Sequence, residues 1–109
     1  MRQYEIWWAE LPPSAGRRPV LLLSREDAYT YLNKFLAAEI TTTIRGIPVE
    51  VSLGKGEGLP ARCVANFDNV RTIRQSVLTR RIGILARKRA AEVKRALGYA
   101  LGWDELIDL

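Results

Sequence analysis

From residue 3 to residue 10 apolar and polar positions alternate, with Tyr4, Ile6 and Trp8 on one face and Gln3, Glu5 and Trp7 on the other. That period of two predicts a half-buried β-strand. Pro12, Pro13, Ser14 and Gly16 break the pattern and predict a turn over 11–16. Short apolar runs predict buried strands over 19–24 and 35–40. Between them a short helix is expected over 25–33, capped by Ser24, with Glu26 and Asp27 favourably placed in its first turn. A loop at 44–46 leads to Pro48 and a strand over 49–53, after which Gly54, Gly56, Gly58 and Pro60 predict a flexible turn. Residues 62–67 and 70–73 read as two strands joined tightly around Asp68 and Asn69, and 78–85 as a last strand. Ala86, Ala90, Val93, Leu97, Ala100 and Leu101 recur at helical spacing, so 86–101 is expected to be a helix, with Gly102 as its C-cap. Many short strands and one terminal helix predict a mainly β (α+β) fold, a small antiparallel barrel or sheet rather than an α/β nucleotide fold.

Composition narrows the function. The 109 residues suit one domain over 1–109, and 48% hydrophobic content excludes a disordered chain. No apolar run approaches the roughly 20 residues needed to cross a bilayer, and no secretory leader is visible, so a cytoplasmic address is expected. The single cysteine, Cys63, excludes an internal disulfide or a zinc ribbon and reads as a small buried hydrophobe. Histidine is absent, which excludes Ser-His-Asp and Cys-His catalysis and any His-based metal site. Any enzymatic chemistry must therefore come from Arg, Lys, Glu, Asp, Tyr or hydroxyl groups. The net charge of +5 is uneven: residues 71–95 carry nine bases and one acid, +8, which leaves −3 for the remainder. Such a stripe suits an anionic partner (RNA, DNA or an acidic peptide), although a solvated surface is the plainer reading.

Two short motifs carry candidate chemistry. In Arg17-Arg18-Pro19 the proline fixes the backbone, so Arg18 leaves the turn in a defined direction with a forked, permanently charged donor matched to phosphate oxygens. Thr41-Thr42-Thr43 places three hydroxyls at a strand end, where they can donate to anionic oxygens, or merely reflect the β-propensity of threonine. The glycines at 54, 56 and 58 do not form a nucleotide-binding loop, because no lysine-serine ending or helix follows. Trp7-Trp8 reads mostly as core, with Trp7 on the face that can serve an interface.

The ordered set Glu5-Ile6-Trp7-Trp8, Gly16-Arg17-Arg18-Pro19-Val20-Leu21-Leu22-Leu23-Ser24, Ile40-Thr41-Thr42-Thr43-Ile44-Arg45-Gly46-Ile47-Pro48 and Val64-Ala65-Asn66-Phe67-Asp68-Asn69-Val70-Arg71-Thr72-Ile73 resembles the MazF/PemK family, toxins of type II toxin–antitoxin modules. The resemblance implies an SH3-like (CcdB/PemK-type) antiparallel barrel with a C-terminal helix, a homodimer, and sequence-specific cleavage of single-stranded RNA with no metal or other cofactor. Arg18 falls on the family's catalytic arginine and Thr41 on its catalytic threonine. Ile47 and Pro48 match the loop that packs on RNA bases, and Asp68 and Asn69 match positions that read base edges. Arg17, Thr42, Thr43, Arg45 and Arg71 complete the expected RNA-binding set, Arg45 and Arg71 as phosphate ligands. The chain departs from the family in two places. Its first interstrand loop is short and lacks the acid that many members carry upstream of the arginine, and Tyr4 stands where many have glycine.

The resemblance implies that the 2′-OH attacks the phosphorus, giving a 2′,3′-cyclic phosphate and a 5′-OH. A guanidinium keeps its proton at neutral pH and is a poor base, so Arg18 is expected to stabilise the phosphorane and help protonate the leaving oxygen. An antitoxin with an acidic C-terminal segment is the expected protein partner, competing with RNA for the groove. Two rivals share the fold: a CcdB-like toxin that poisons DNA gyrase, and a non-catalytic RNA-binding or SH3-like module.

Overall fold

Six strands pair into one antiparallel sheet that curls into a half-barrel, in the order β4-β5-β3-β2-β1-β6. The computed structural model describes residues 1–11 and 16–109. The strands are β1 (Glu5–Leu11), β2 (Gly16–Leu22), β3 (Lys34–Thr41), β4 (Glu50–Leu53), β5 (Cys63–Arg74) and β6 (Leu78–Ile84). Helix α1 (Ala28–Tyr31) joins β2 to β3, and α2 (Ala90–Leu101) and α3 (Asp104–Ile107) close the chain. This is the mainly β barrel-like sheet with a C-terminal helix that the apolar pattern predicts. Among the described residues no helix is long and apolar enough to cross a membrane. The turn predicted at Pro12, Pro13 and Ser14 lies outside the described residues.

Both faces of the sheet centre are covered, which explains why β2 and β3 read as apolar runs rather than alternating strands. On one side Ile6, Leu21, Ala38 and Ile40 pack with Leu85 and with Val93 and Ala96 of α2. On the other, Ala9, Leu11, Val20, Leu22 and Ala37 pack with Tyr29 and Leu78. β1 keeps its predicted alternation but is not half-buried: Ile6 faces the larger cluster, while Trp7, Ala9 and Leu11 face the smaller one.

Three local expectations are corrected. Ser24 does not cap a nine-residue helix: its Oγ accepts the Leu36 N–H at 2.9 Å, which ties the connection to β3 and leaves α1 a single turn. Asp68 and Asn69 do not turn a hairpin, because β5 is one strand of twelve residues. Ala38 pairs with Val70 and the next residue, Glu39, with Asn66, so 67–69 bulge from the ladder. The bulge is pinned by buried Phe67, whose N–H reaches the Val49 carbonyl at 2.8 Å, and by Asn66 Oδ1, which accepts the Asp68 N–H at 2.9 Å. Finally, the terminal helix starts at Ala90 after a 3₁₀ turn over Arg87–Arg89, and α3, with Asp104 and Glu105 in its first turn, was not predicted. Gly102 ends α2 at φ 71°, as the C-cap reading requires.

Candidate active site

Proline chemistry opens the site. The β2–β3 ladder runs from Leu22↔Ala37 to Val20↔Glu39 and stops there. Pro19 has no N–H to continue it, and the same register carried two residues further brings Arg18 level with Thr41. Beyond the last pair a cleft of about 330 Å³ lies between the strands, lined by Arg18, Pro19, Ile40 and Thr41, with Trp8 and Arg17 on one side and Leu59, Pro60, Ala61 and Cys63 on the other. The Arg17 guanidinium lies 4.4 Å from the centre of the Trp8 ring, a cation–π contact that holds it over the cleft's apolar side. Burial pushes the Cys63 thiol pKa up, with the Glu57 charge acting in the same sense, and its Sγ faces the Leu53 carbonyl at 3.8 Å. Cys63 is thus an inert apolar wall, as its type suggests.

A second, polar cavity of about 230 Å³ adjoins the first and shares Arg18 and Thr41 with it. Glu39, Thr43, Arg45, Asn66 and Asn69 supply the rest of its lining. Thr41 Oγ1 accepts the Thr43 N–H at 3.1 Å, a bond that leaves the hydroxyl able to donate its own hydrogen to another group. Arg18 Nε lies 3.9 Å from Glu39 Oε1, and Arg71 Nη1 donates to Glu39 Oε2 at 3.2 Å. The loop carrying Arg45 is folded around Glu50, whose carboxylate collects the N–H groups of Arg45 at 3.0 Å, Gly46 at 2.9 Å and Ile47 at 3.4 Å. Desolvation raises the Glu50 pKa, but these donors and the Arg45 charge outweigh it and hold it below the usual carboxylate range.

The fold therefore brings together Arg17, Arg18, Thr41, Thr42, Thr43, Arg45 and Asn69 of the expected set. Among the described residues Arg71 lines neither cavity and meets the site through Glu39. Ile47 and Pro48 are exposed on the loop and Asp68 on the bulge, and none of the three lines either cavity. Glu39 and Asn66 were missed. The signal was present, since a charge and an amide inside otherwise apolar strands need partners. Trp8, expected in the core, faces the cleft instead.

The basic segment is not one stripe. Arg71, Arg81, Arg87 and Arg89 pair with Glu39, Glu5, Glu26 and Glu92, and Arg95 donates to the Leu109 carbonyl at 3.0 Å. The cations at the cleft come largely from elsewhere in the chain, Arg17, Arg18 and Arg45. Among the described residues no group of three or more His, Cys, Asp or Glu side chains is gathered where a metal ion could be held. The arrangement presents guanidinium, hydroxyl and amide donors to an anion.

The family model described as PemK-like, MazF-like toxin of type II toxin-antitoxin system matches residues 2–101. The chain is 42% identical over 98 residues to the probable endoribonuclease MazF5 of Mycobacterium tuberculosis, covering 89% of each protein. It superposes on the M. tuberculosis toxin MazF-mt6 with a TM-score of 0.84 and 36% identity, over 90% of this chain and 96% of that one. A mycobacterial endoribonuclease solved in complex with its cognate antitoxin matches at 0.81 and 25% identity, over 94% and 96%. A mainly β half-barrel with Arg18 beside Thr41 at the end of its β2–β3 ladder, matched almost end to end by that family model, belongs to the PemK-like, MazF-like toxins of type II toxin–antitoxin systems.

Proposed function

We propose that the chain cuts single-stranded RNA at specific sequences by attack of a ribose 2′-OH on the adjacent phosphorus, leaving a 2′,3′-cyclic phosphate and a 5′-OH. As a member of its family the chain is an endoribonuclease toxin. The observation that carries the mechanism is that Arg18 and Thr41 line both cavities at the mouth of the β2–β3 ladder. A phosphorane gathers negative charge on its equatorial oxygens and on the leaving 5′ oxygen. Arg18 stabilises that charge with its fork and helps protonate the leaving oxygen. The proton lost by the 2′-OH passes to solvent, which reprotonates the guanidinium, so the transesterification is balanced. Thr41 already accepts the Thr43 N–H, so its own proton is available to a non-bridging oxygen. The nucleophile is the substrate's own hydroxyl, so the step requires no metal-activated water.

Arg17, Thr42, Thr43 and Arg45 hold the flanking phosphates, and Asn69 offers an amide to a base edge. Asp68 on the bulge reads a second base, and Ile47 and Pro48 on the exposed loop pack against unpaired bases. The antitoxin's acidic C-terminal segment enters the same cationic groove and excludes RNA by competition. The toxin works in the cytoplasm as a homodimer of 1–109 domains. A long unstructured RNA incubated with the protein in excess EDTA tests this. Discrete fragments with cyclic phosphate ends are expected, and Arg18→Ala should abolish them while RNA binding stays within a few-fold. Intact RNA in a tight complex would overturn the reading in favour of a non-catalytic binding module.

A further inference from the structure

The polar cavity contains a carboxylate where an anionic substrate is expected. Glu39 precedes Thr41 by two residues on β3, so both side chains stand on the same face of the sheet. Its side chain is 19% exposed, and like-charge repulsion makes it unfavourable for binding a phosphate there. Its contacts give it another task. Arg71 donates to Oε2 at 3.2 Å and so holds the carboxylate, while Oε1 lies 3.9 Å from Arg18 Nε. The Nε edge of a guanidinium also carries one terminal N–H, so a carboxylate on that side biases the plane of the whole fork, and the same Arg18 lines the cavity shared with Thr41.

We propose that Glu39, anchored by Arg71, is a positioning residue that helps aim the Arg18 fork at the scissile phosphate, and that Arg71 serves as this anchor rather than as a phosphate ligand. The inference rests on the ribonuclease reading above. It supplies, from β3, a site carboxylate in a chain whose first loop has no acid upstream of the arginine. Misaim of a reacting group by about 1 Å lowers a rate by up to about 100-fold, whereas loss of a negative charge favours binding of RNA.

The test compares wild type, Glu39→Gln, Arg71→Gln and the double variant on an RNA oligonucleotide spanning a mapped cut site. Affinity is read on the same oligonucleotide with a deoxyribose at that position, and folding by thermal melting. Glu39→Gln should lower kcat about tenfold or more while binding the deoxy probe as tightly as wild type or a few-fold more tightly. A merely structural lesion would weaken binding instead. Arg71→Gln should reproduce the fall in kcat, and the double variant should fall no further than the worse single one. Wild-type rates in Glu39→Gln would overturn the proposal, as would weaker probe binding by that variant. So would full activity in Arg71→Gln beside an inactive Glu39→Gln, since a carboxylate acting directly as the base needs no anchor. If Glu39→Gln does not fold, Arg71→Gln, at a partly exposed position, decides alone. A wild-type protein that leaves the RNA intact strikes the ribonuclease reading, not this one.

Discussion

Glu5 shows how much one side chain can hold at the start of this fold. It is 8% exposed, and its carboxylate accepts the Trp7 indole N–H at 2.9 Å, the Arg2 N–H at 3.1 Å and Arg81 Nε at 3.1 Å. Burial raises its pKa, but the three donors outweigh burial and leave it below the usual carboxylate range. A lowered folded pKa means that the stabilisation is complete above the unfolded value of about 4.3 and is lost as the pH falls through the folded one. Glu5→Ala is expected to destabilise by about 1–3 kcal/mol, because the Trp7 indole and the first backbone turn lose a buried acceptor. Thermal melts at pH 7 and at pH 3 check this: the gap between wild type and variant should shrink in acid, and a constant gap would assign the loss to packing.

At the scale of elements, the wall of the cleft depends on two backbones lying almost in contact. The 3₁₀ turn Lys55–Glu57 and Gly58, which has φ 92°, lean on β6, and a Cβ placed on Gly83 would stand 1.9 Å from the Glu57 carbonyl oxygen. Leu59, Pro60 and Ala61 continue directly from that turn into the cleft lining. Arg89 fastens the same turn from the other side, donating to the Ser52 carbonyl at 2.7 Å and to Glu92 at 2.7 Å while lying 3.6 Å from Glu57. Gly83→Ala is therefore expected to push the turn outward, with a loss of about 1–3 kcal/mol and a Tm lower by several degrees. RNA cleavage should fall as well, since the displaced segment faces Arg18. A melt unchanged within about 1 °C would show that the turn yields freely.

Across the whole molecule, charge is divided between internal pairing and the groove. The arginines of the basic segment mostly bridge elements, Arg87 to Glu26 and Arg89 to Glu92, whereas Arg45 stands on the rim of the polar cavity. RNA affinity should fall linearly in logarithmic salt concentration, with a slope of about −0.7 for each phosphate neutralised on a single strand. Arg45→Gln is expected to flatten that slope by about 0.7, and Lys94→Gln, on exposed α2 surface, to leave it unchanged. Binding titrations at several salt concentrations decide this. An equal loss from both variants would return the binding role to the whole basic segment.

Much of this was legible along the chain because it depends on neighbours in sequence. Apolar runs that mark strands, the 3.6-residue spacing of α2, the Gly102 cap and the Arg17-Arg18-Pro19 and Thr41-Thr42-Thr43 motifs all express local backbone and side-chain chemistry. Ser24 was misread because its hydroxyl is claimed by Leu36, twelve residues on, and not by the helix beside it. The Asp68-Asn69 turn was misread because turn-forming residues also suit a bulge, and only the pairing of β5 with both β3 and β4 selects between them. Likewise, no local pattern says that Glu39 will lie between Arg18 and Arg71, 21 and 32 positions away, or that Trp8 will face a cleft rather than the core. Sequence alone determined which residue types are available and which strands they ride on. The register of those strands, set by packing on two sheet faces at once, decided which of them meet.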